Sequence, residues 1–276
     1  MHATRPSTTA LWVAFMRGAA SLVPEPLVED STTEALLPAP WGAVMRRARH
    51  AGWLQRVPPQ VASFLRGSHV ALRTHAIDRG VEEAVAQGAQ QLVIVGAGLD
   101  ARAYRLTGME HVTVYEVDHP NTQSYKRGRV GALEPRVRAV RFVPADLSRD
   151  SLARSLQAAG FAAGRPAVFV LEGLSMYLSL EGLTKALDSL ADLAARGSLL
   201  LMTYAQPLPK DWRSRLILAT LSYVHEPFLS TFHPAEVAQL LHAHAWDAFA
   251  DEGDPEWGGS DTPHSAFERL VRARRC

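Results

Sequence analysis

The feature that most constrains the fold is a pair of apolar runs joined by a turn with two glycines. Residues 92–95 are apolar at four successive positions, which suits a parallel strand buried on both faces. Gly96 and Gly98 permit a tight turn at which backbone can approach a ligand, and a helix N-terminus beyond it would point free N–H groups at that ligand. The second run ends in Glu116 and Asp118, about 20 residues on, where a carboxylate can accept hydrogen bonds from ribose hydroxyls. The segment predicts a nucleotide site in an α/β fold.

Chain length and charge limit the classes of protein that the sequence can encode. With 276 residues, 47% of them apolar, the chain is long enough for one large α/β core with a helical extension. Its 29 basic and 28 acidic residues leave a net charge of +1, which gives no global field to attract nucleic acid or an acidic membrane. We therefore expect neither nucleic acid nor a membrane as a partner. The sequence leaves the oligomeric state open.

Cysteine content and the length of the apolar runs bear on location. Cys276 is the only cysteine, so no internal disulfide can form and a cysteine-based metal site is not expected. Residues 1–9 lack the long apolar core of a secretion signal, and no later run approaches ~18 uninterrupted apolar residues. These patterns predict a cytoplasmic protein that needs no metal.

The order of helical and strand-like segments predicts the architecture. Residues 8–90 carry apolar residues at helical spacing and contain no convincing strand. Short apolar runs recur afterwards at 92–95, 112–117, 140–143, 168–171 and 199–202. Because the segments between them are long enough for crossover helices, the pattern predicts a parallel sheet with helices on both faces. The tail, 248–275, could add one hairpin that closes the sheet.

Two helices can be placed in more detail. An apolar stripe from Leu183 to Ala194 predicts a crossover helix, with Gly197 at the position of a C-terminal cap. Pro234 stands at the first position of a later predicted helix, with Glu236 in its first turn.

The glycine turn alone does not identify the cofactor. Residues 96–101 also satisfy the dinucleotide pattern G-x-G-x-x-G/A, so both a nicotinamide cofactor and S-adenosylmethionine remain open at this point. Asp146 ends the third apolar run, where it could accept a hydrogen bond from an adenine amino group, and Glu172 ends the fourth. With Glu116 and Asp118, these acids would line one crevice at the carboxyl ends of the strands, which is where open α/β sheets bind ligands.

Five stretches, in this order and spacing, resemble one known family. They read ALRTHAID, VIVGAGLDARAYRL, VYEVDHP, FVPADL and LEGLSMYL. The chain resembles, over roughly residues 8–250, the leucine carboxyl methyltransferases, whose bacterial branch methylates small molecules, including polyketide carboxyl groups. The resemblance implies a Rossmann-like class I methyltransferase with a mostly parallel seven-stranded sheet. It implies an N-terminal helical extension or lid at 1–88, a cofactor domain at 89–276 and a substrate-covering insert at about 205–234.

The resemblance also implies the cofactor, S-adenosyl-L-methionine, and residues that bind it. Arg73 would pair with the methionine carboxylate, a role that suits a planar guanidinium. Asp118 would hold the ribose hydroxyls with Glu116 beside it; residues two apart share a strand face, and Asp118 is favoured because it lies nearer the strand end. The other implied contacts are Gly96 and Gly98 under methionine and ribose, Asp146 and Leu147 at adenine, and Glu172 closing the site. A lysine that one branch of the family has near its N-terminus is missing here, and Arg17 is the candidate substitute.

The implied reaction is in-line displacement at a sulfonium methyl group, for which the enzyme mainly positions the nucleophile and excludes water. A carboxylate acceptor is already ionised at neutral pH and requires no base, whereas an alcohol or phenol would benefit from one. The catalytic candidates are His225 and Tyr204, with His233 and His119 as further histidines. Tyr204, Trp212, Tyr223 and Phe228 are candidates for the wall of an apolar acceptor pocket.

We thus predict a small-molecule O-methyltransferase, with a carboxyl group slightly favoured over a hydroxyl group as acceptor. Two alternatives remain: an NAD(P)-dependent oxidoreductase built on the same glycine turn, and a non-catalytic, cofactor-binding partner of a biosynthetic complex. Little chain remains after the predicted sheet for the separate substrate domain that the oxidoreductase would need.

Overall fold

The computed structural model describes residues 7–207, 228–258 and 268–276, and helices and strands are numbered in chain order over these residues. Their strands form a seven-stranded sheet in the order β3-β2-β1-β4-β5-β7-β6. The strands are β1 Gln91–Val95, β2 Met109–Asp118, β3 Val137–Pro144, β4 Ala167–Leu171, β5 Leu199–Ala205, β6 Trp246–Glu252 and β7 Glu268–Arg275. The first five run parallel, and β7 pairs antiparallel with both β5 and β6. The predicted fold class, including the closing hairpin, is confirmed.

Helices precede the sheet and alternate with its strands. They are α1 Thr8–Ala20, α2 Thr33–Leu36, α3 Ala39–Ala51, α4 Pro59–Arg66, α5 His69–Ala86, α6 Arg102–Arg105, α7 Pro120–Val130, α8 Leu152–Ala158, α9 Leu180–Leu193, α10 Pro234–Ala243 and α11 Asp254–Gly258. Short 3-10 turns occupy Trp53–Arg56 and Ser175–Tyr177. Within the described ranges, no helix is both long and apolar enough to cross a bilayer.

The apolar core lies on both faces of the sheet because β1 and β4 are buried at every position. Val93 and Phe169 pack on one face with α8, α9 and α10, whereas Leu92 and Val168 pack on the other face with α5. Successive side chains of a strand point to opposite faces, so two cores require the continuous apolar runs that the sequence contains. Since α5 packs on β4 and β5, one flank of this helix belongs to the sheet core. The proposed division near residue 88 stays a prediction.

Local turn chemistry explains where two predicted helices begin and end. Pro234 opens α10 as predicted, and the side chains of His233 and Glu236 cap its first turn. The prediction that Gly197 caps α9 is wrong, since that helix ends at Leu193. The Leu193 carbonyl accepts a hydrogen bond from the N–H of Gly164 at 3.0 Å, so a loop residue satisfies the helix end.

Candidate cofactor and acceptor site

A single cavity of about 710 Å³ lies at the carboxyl edge of the parallel strands. Its wall includes the glycine turn after β1, Asp118 at the end of β2 and Glu172 after β4. Helices α1 and α5 and the first residue of β7 also contribute to the wall. Of the four predicted acidic residues, Asp118 and Glu172 therefore line one crevice at the carboxyl ends of the strands, where open α/β sheets bind ligands.

The glycine turn presents bare main chain to this cavity. Gly96 and Gly98 both have positive φ, at +72° and +47°. The N–H of Gly96 is taken by the carbonyl of Val117 at 2.8 Å, which fixes the turn against the end of β2. A Cβ on Gly96 would lie 3.0 Å from Leu174, and one on Gly98 would lie 3.3 Å from Ala10. Side chains at these positions would take up space between the turn and the opposite wall.

Asp118 is held by the backbone in a fixed orientation at the cavity wall. Its Oδ2 accepts a hydrogen bond from the N–H of Gly98 at 2.5 Å, and its Oδ1 accepts one from the N–H of His119 at 2.6 Å. Burial raises the pKa of this carboxyl, while the two backbone donors act in the opposite direction. Each carboxylate oxygen retains a further lone pair for a ligand hydroxyl.

Glu116 occupies a different environment although it shares a strand face with Asp118. Its side chain is only 1% exposed, and its Oε2 lies 2.6 Å from Nζ of the equally buried Lys126 on α7. It is not among the residues that line the cavity. Burial raises the pKa of Glu116, and Lys126 opposes that shift. The geometry supports Asp118, and not Glu116, as the residue that faces a ligand.

Arg73 on α5 lines the cavity between two carboxylates. Its Nε donates to Glu172 Oε1 at 3.0 Å, and its Nη1 donates to both oxygens of Glu268 at 3.0 and 2.8 Å. Burial disfavours the charged guanidinium, but Glu268 and Glu172 outweigh it and raise the pKa of Arg73. The other oxygen of Glu172 lies 2.8 Å from Nη1 of Arg102. Arg73 and Glu172, both predicted from the sequence, therefore belong to one network of charges.

His69 and Glu268, which line the cavity and belong to this network, were not predicted from the sequence. His69, one helical turn before Arg73, places Nδ1 2.6 Å from Asp254 Oδ1 and Nε2 2.7 Å from Glu268 Oε2. Against the effect of burial, Glu268 and Asp254 raise the pKa of His69 to about 9, while Arg73 and His69 lower that of Glu268 to about 2. The four-residue spacing of His69 and Arg73 on a helix was the available signal, because such residues share a face. Glu268 lies in no motif.

Arg17 also lines the cavity, yet its guanidinium is already engaged. Nε lies 2.6 Å from Oδ2 of the buried Asp30, and Nη2 donates to the carbonyl of Leu99 at 3.0 Å. Arg17 thus fastens α1 to the glycine turn, and its role as a substitute for the missing lysine stays a prediction.

Other predicted residues lie beside the cavity or away from it. Asp146 and Leu147 follow β3 next to Asp118, but they are not part of the cavity wall. Asp146 instead accepts a hydrogen bond from the hydroxyl of Ser148 at 2.6 Å, which lowers its pKa. Leu147 packs against the apolar core.

The geometry does not support Tyr204 as a catalytic residue or as part of the acceptor wall. This side chain is fully buried outside the cavity wall, and its hydroxyl donates to Asp251 Oδ2 at 2.6 Å. Burial and that bond raise the pKa of Tyr204, which removes it further from a role as base at neutral pH. The other catalytic candidate, His225, lies outside the described residues, as do Trp212 and Tyr223 and most of the predicted insert at 205–234. His119 and His233 serve as N-terminal caps of α7 and α10.

The cavity has a charged part around Arg73 and Asp118, which we call the charged cradle, and it also has an apolar wall. Tyr177 and Phe228 meet edge to face with ring centroids 5.7 Å apart, and Phe228 was predicted for this wall. The remaining apolar side chains of the wall include Trp12, Val13, Leu174, Met176 and Leu229. A cavity of this size, with an apolar side and a few polar groups, is typical of small-molecule sites.

Comparison with known proteins identifies the family to which this site belongs. A sequence model of the leucine carboxyl methyltransferases matches residues 10–191. The chain belongs to the leucine carboxyl methyltransferase family. A relative in Mycobacterium avium strain 104 is 34% identical over 96% of this chain and 88% of its own length. A relative in Mycobacteroides abscessus is 31% identical over 89% of this chain and 85% of its own. Both carry the name S-adenosyl-L-methionine-dependent methyltransferase.

Solved structures support the fold of this family member at low sequence identity. A DUF574 family protein from Streptomyces avermitilis superposes with a TM-score of 0.61 at 15% identity, covering 99% of both chains. A protein from Thermobifida fusca that is named as a methyltransferase gives 0.54 at 18% identity and covers 98% of this chain and 95% of its own. At such identities the likeness concerns the fold alone.

Proposed function

We propose that the protein transfers the methyl group of S-adenosyl-L-methionine to an oxygen atom of a small, largely apolar acceptor that bears a carboxyl or hydroxyl group. Family membership makes the chain a methyltransferase, and S-adenosyl-L-methionine is its cofactor. The observation that carries the proposal is that one cavity joins the charged cradle around Arg73 and Asp118 to an apolar, partly aromatic wall. This arrangement fits a polar cofactor bound next to an apolar acceptor.

The residues present fit this cofactor. The backbone turn at Gly96 and Gly98 leaves the space that a Cβ would fill, and Asp118 offers carboxylate lone pairs for a ribose diol. Arg73 supplies a guanidinium for the methionine carboxylate, and Glu172 supplies negative charge for the amino group. We assign the adenine side to Asp146 and Leu147, which follow β3 beside Asp118.

When bound, the cofactor supplies an electrophilic methyl carbon on a positively charged sulfur. Arg73 and Asp118 would hold the cofactor, and the apolar wall would hold an acceptor oxygen close to that methyl carbon, so that the protein acts mainly by positioning the two reactants. The protein would orient the two reactants and limit the access of water to them. Trp12, Leu174 and Met176 make the acceptor side of the cavity apolar. The products are the methylated acceptor and S-adenosylhomocysteine.

A carboxyl group is the favoured acceptor. A carboxylate is ionised at neutral pH and needs no base in the site. Tyr204, one of the two catalytic candidates, is bound to Asp251 away from the cavity wall. The name of the matching family also refers to a carboxyl acceptor.

Transfer of a radiolabelled methyl group tests the proposal. Enzyme and methyl-labelled cofactor are incubated with a panel of apolar carboxylic acids, phenols and alcohols, and with amines and thiols as controls. Mild alkali releases labelled methanol from methyl esters but leaves methyl ethers intact, so it separates carboxyl from hydroxyl acceptors. We expect alkali-labile label on apolar acids; label on amines or thiols alone would refute O-methylation.

The same experiment separates the alternatives. Binding of S-adenosylhomocysteine without labelling of any acceptor in the panel would favour a non-catalytic, cofactor-binding partner of a biosynthetic complex. A calorimetric titration in which only NADH binds would support the oxidoreductase, which the family match and the relatives do not favour.

A further inference from the structure

A line of alternating charges connects the last strand of the sheet, β7, to the charged cradle. It runs from Asp254 on α11 through His69, Glu268 and Arg73 to Glu172, and each neighbouring pair is separated by 2.6 to 3.0 Å. All of these side chains are mostly buried, and the last four line the cavity. The family match ends at residue 191, so it covers neither Asp254 nor Glu268.

We propose that Glu268, oriented by His69 and Asp254, is a positioning residue that fixes the guanidinium of Arg73 for the carboxylate of the cofactor. This inference rests on the proposed function, in which Arg73 binds that carboxylate. It assigns a part in the cofactor site to β7, the strand that pairs antiparallel with β5 and starts at Glu268 opposite Ala205.

The hydrogen bonds of Arg73 orient its guanidinium and leave one of its nitrogens available to a ligand. Its Nε donates to Glu172, and its Nη1 donates to both oxygens of Glu268. Its Nη2 makes no hydrogen bond with any residue in the part of the chain that the structure describes. Two of the three guanidinium nitrogens are therefore held by carboxylates, one just after β4 and one on β7, and the third nitrogen is the donor for a ligand in the cavity that Arg73 lines.

The positive charge of His69 compensates part of the negative charge next to Arg73. Two carboxylates against one guanidinium would leave little attraction for a third carboxylate from the cofactor. When protonated, His69 offsets part of the negative charge of Glu268, because its Nε2 lies 2.7 Å from the same oxygen that Arg73 contacts at 2.8 Å. His69 thus lets Glu268 orient Arg73 without cancelling its positive charge.

A pH dependence follows from this arrangement. Among the described residues, the charged groups that face His69 include Asp254 from α11, Glu268 from β7 and Arg73 from its own helix, and the ring centroid of Trp257 lies 5.8 Å away. The two carboxylates raise the pKa of His69 to about 9, so it is charged at neutral pH and loses its proton as pH rises through about 9. Above that pH His69 is neutral, so the negative charge of Glu268 offsets more of the positive charge of Arg73, and the affinity of Arg73 for the cofactor carboxylate decreases.

The experiment compares Glu268→Gln with a control on the same two elements. Calorimetry with S-adenosylhomocysteine gives the dissociation constant without any acceptor, so the result does not depend on which molecule is methylated. For Glu268→Gln we expect affinity about tenfold weaker at pH 7.5, the loss typical of one hydrogen bond to a charged group. Once an acceptor is known, the KM for the cofactor should rise similarly while kcat changes little. Glu83→Gln removes an ion pair between Glu83 of α5 and Arg272 of β7 outside the cavity wall and should leave affinity unchanged.

A pH series with a second variant tests the role of His69. Wild-type affinity for S-adenosylhomocysteine should fall between pH 8 and pH 10, and in His69→Gln the fall should be smaller, because only the amino group of the ligand, and no imidazole, then loses a proton. The series also covers the case in which Glu268→Gln does not fold, which its thermal transition would reveal. Unchanged affinity in a folded Glu268→Gln protein overturns the proposal, as does an unchanged pH profile in His69→Gln. Failure of every acceptor to be methylated would affect only the proposed reaction.

Discussion

The carboxylate of Asp118 accepts a hydrogen bond from the backbone N–H of Gly98 at 2.5 Å, which ties the end of β2 to the glycine turn after β1. A side chain that would hold the ribose is thus oriented by the backbone that would pass beneath it. This preorganisation means that the carboxylate does not have to be ordered when a ligand arrives, so more of the interaction contributes to affinity.

Replacement of Asp118 measures that contribution. We expect Asp118→Ala to weaken binding of S-adenosylhomocysteine by about 1.5–3 kcal/mol, or roughly ten- to a hundredfold, because a charged acceptor is lost. Asp118→Asn should lose less, since its amide oxygen can still accept one bond. Titration calorimetry gives both values, and Asp247→Asn, an exposed position on β6, is the control. Affinity in Asp118→Ala equal to that of the control would remove Asp118 from the site.

A variant pair separates Glu116 from Asp118. Because Glu116 and Lys126 are both 1% exposed and 2.6 Å apart, removal of either partner alone leaves a buried charge and should cost about 3–5 kcal/mol of unfolding free energy. Glu116→Met combined with Lys126→Leu should recover most of that loss. The double variant should bind S-adenosylhomocysteine like the wild type if Glu116 has a structural role only. Weakening comparable to that in Asp118→Ala would make Glu116 a ligand instead.

Gly96 is predicted to be needed for its free volume as well as for its backbone angle. At φ +72° a Cβ would lie 3.0 Å from Leu174, so Gly96→Ala should both strain the turn and push against the cavity wall. Gly164 is a matched control because its φ is +74° and nothing lies within 4 Å of an added Cβ. Both alanine variants should lose about 1–3 kcal/mol of stability in urea titrations. Only Gly96→Ala should also lose affinity for S-adenosylhomocysteine, and equal affinities would show that the space is not used.

The sequence sufficed where an interaction is local and failed where it depends on distant pairing. The turn at Gly96 and the acid at Asp118 are neighbours of apolar runs, so strand, turn and charge could be predicted together. Strand alternation placed Glu116 on the same face as Asp118, but Lys126 on the following helix neutralises it, which no periodicity indicates. Glu268 meets Arg73 across 195 residues through an antiparallel strand whose register the sequence does not encode locally.

The stability of the N-terminal helices should depend on pH through one buried ion pair, between Arg17 and Asp30. Asp30 is fully buried, and its carboxylate accepts hydrogen bonds from Thr32, Thr33 and Arg17. Burial alone would raise the pKa of Asp30, but Arg17 and the hydroxyl donors hold it well below its usual range. A carboxyl whose folded pKa is depressed stabilises the fold above its unfolded pKa of about 3.9, and this contribution is lost as pH falls below that value.

Asp30→Asn tests this dependence. The variant removes the charge but keeps the shape, so the stability difference from the wild type should be large at pH 7. It should shrink as pH is lowered from about 4 toward 2, because the Asp30 carboxyl of the unfolded wild-type chain then takes up a proton, which favours unfolding, whereas the variant has no such group. Urea unfolding at a series of pH values measures the difference, with Asp247→Asn again as the exposed control. A difference that stays constant over this range would mean that the Asp30 carboxylate does not stabilise the contact between α1 and the glycine turn through its charge.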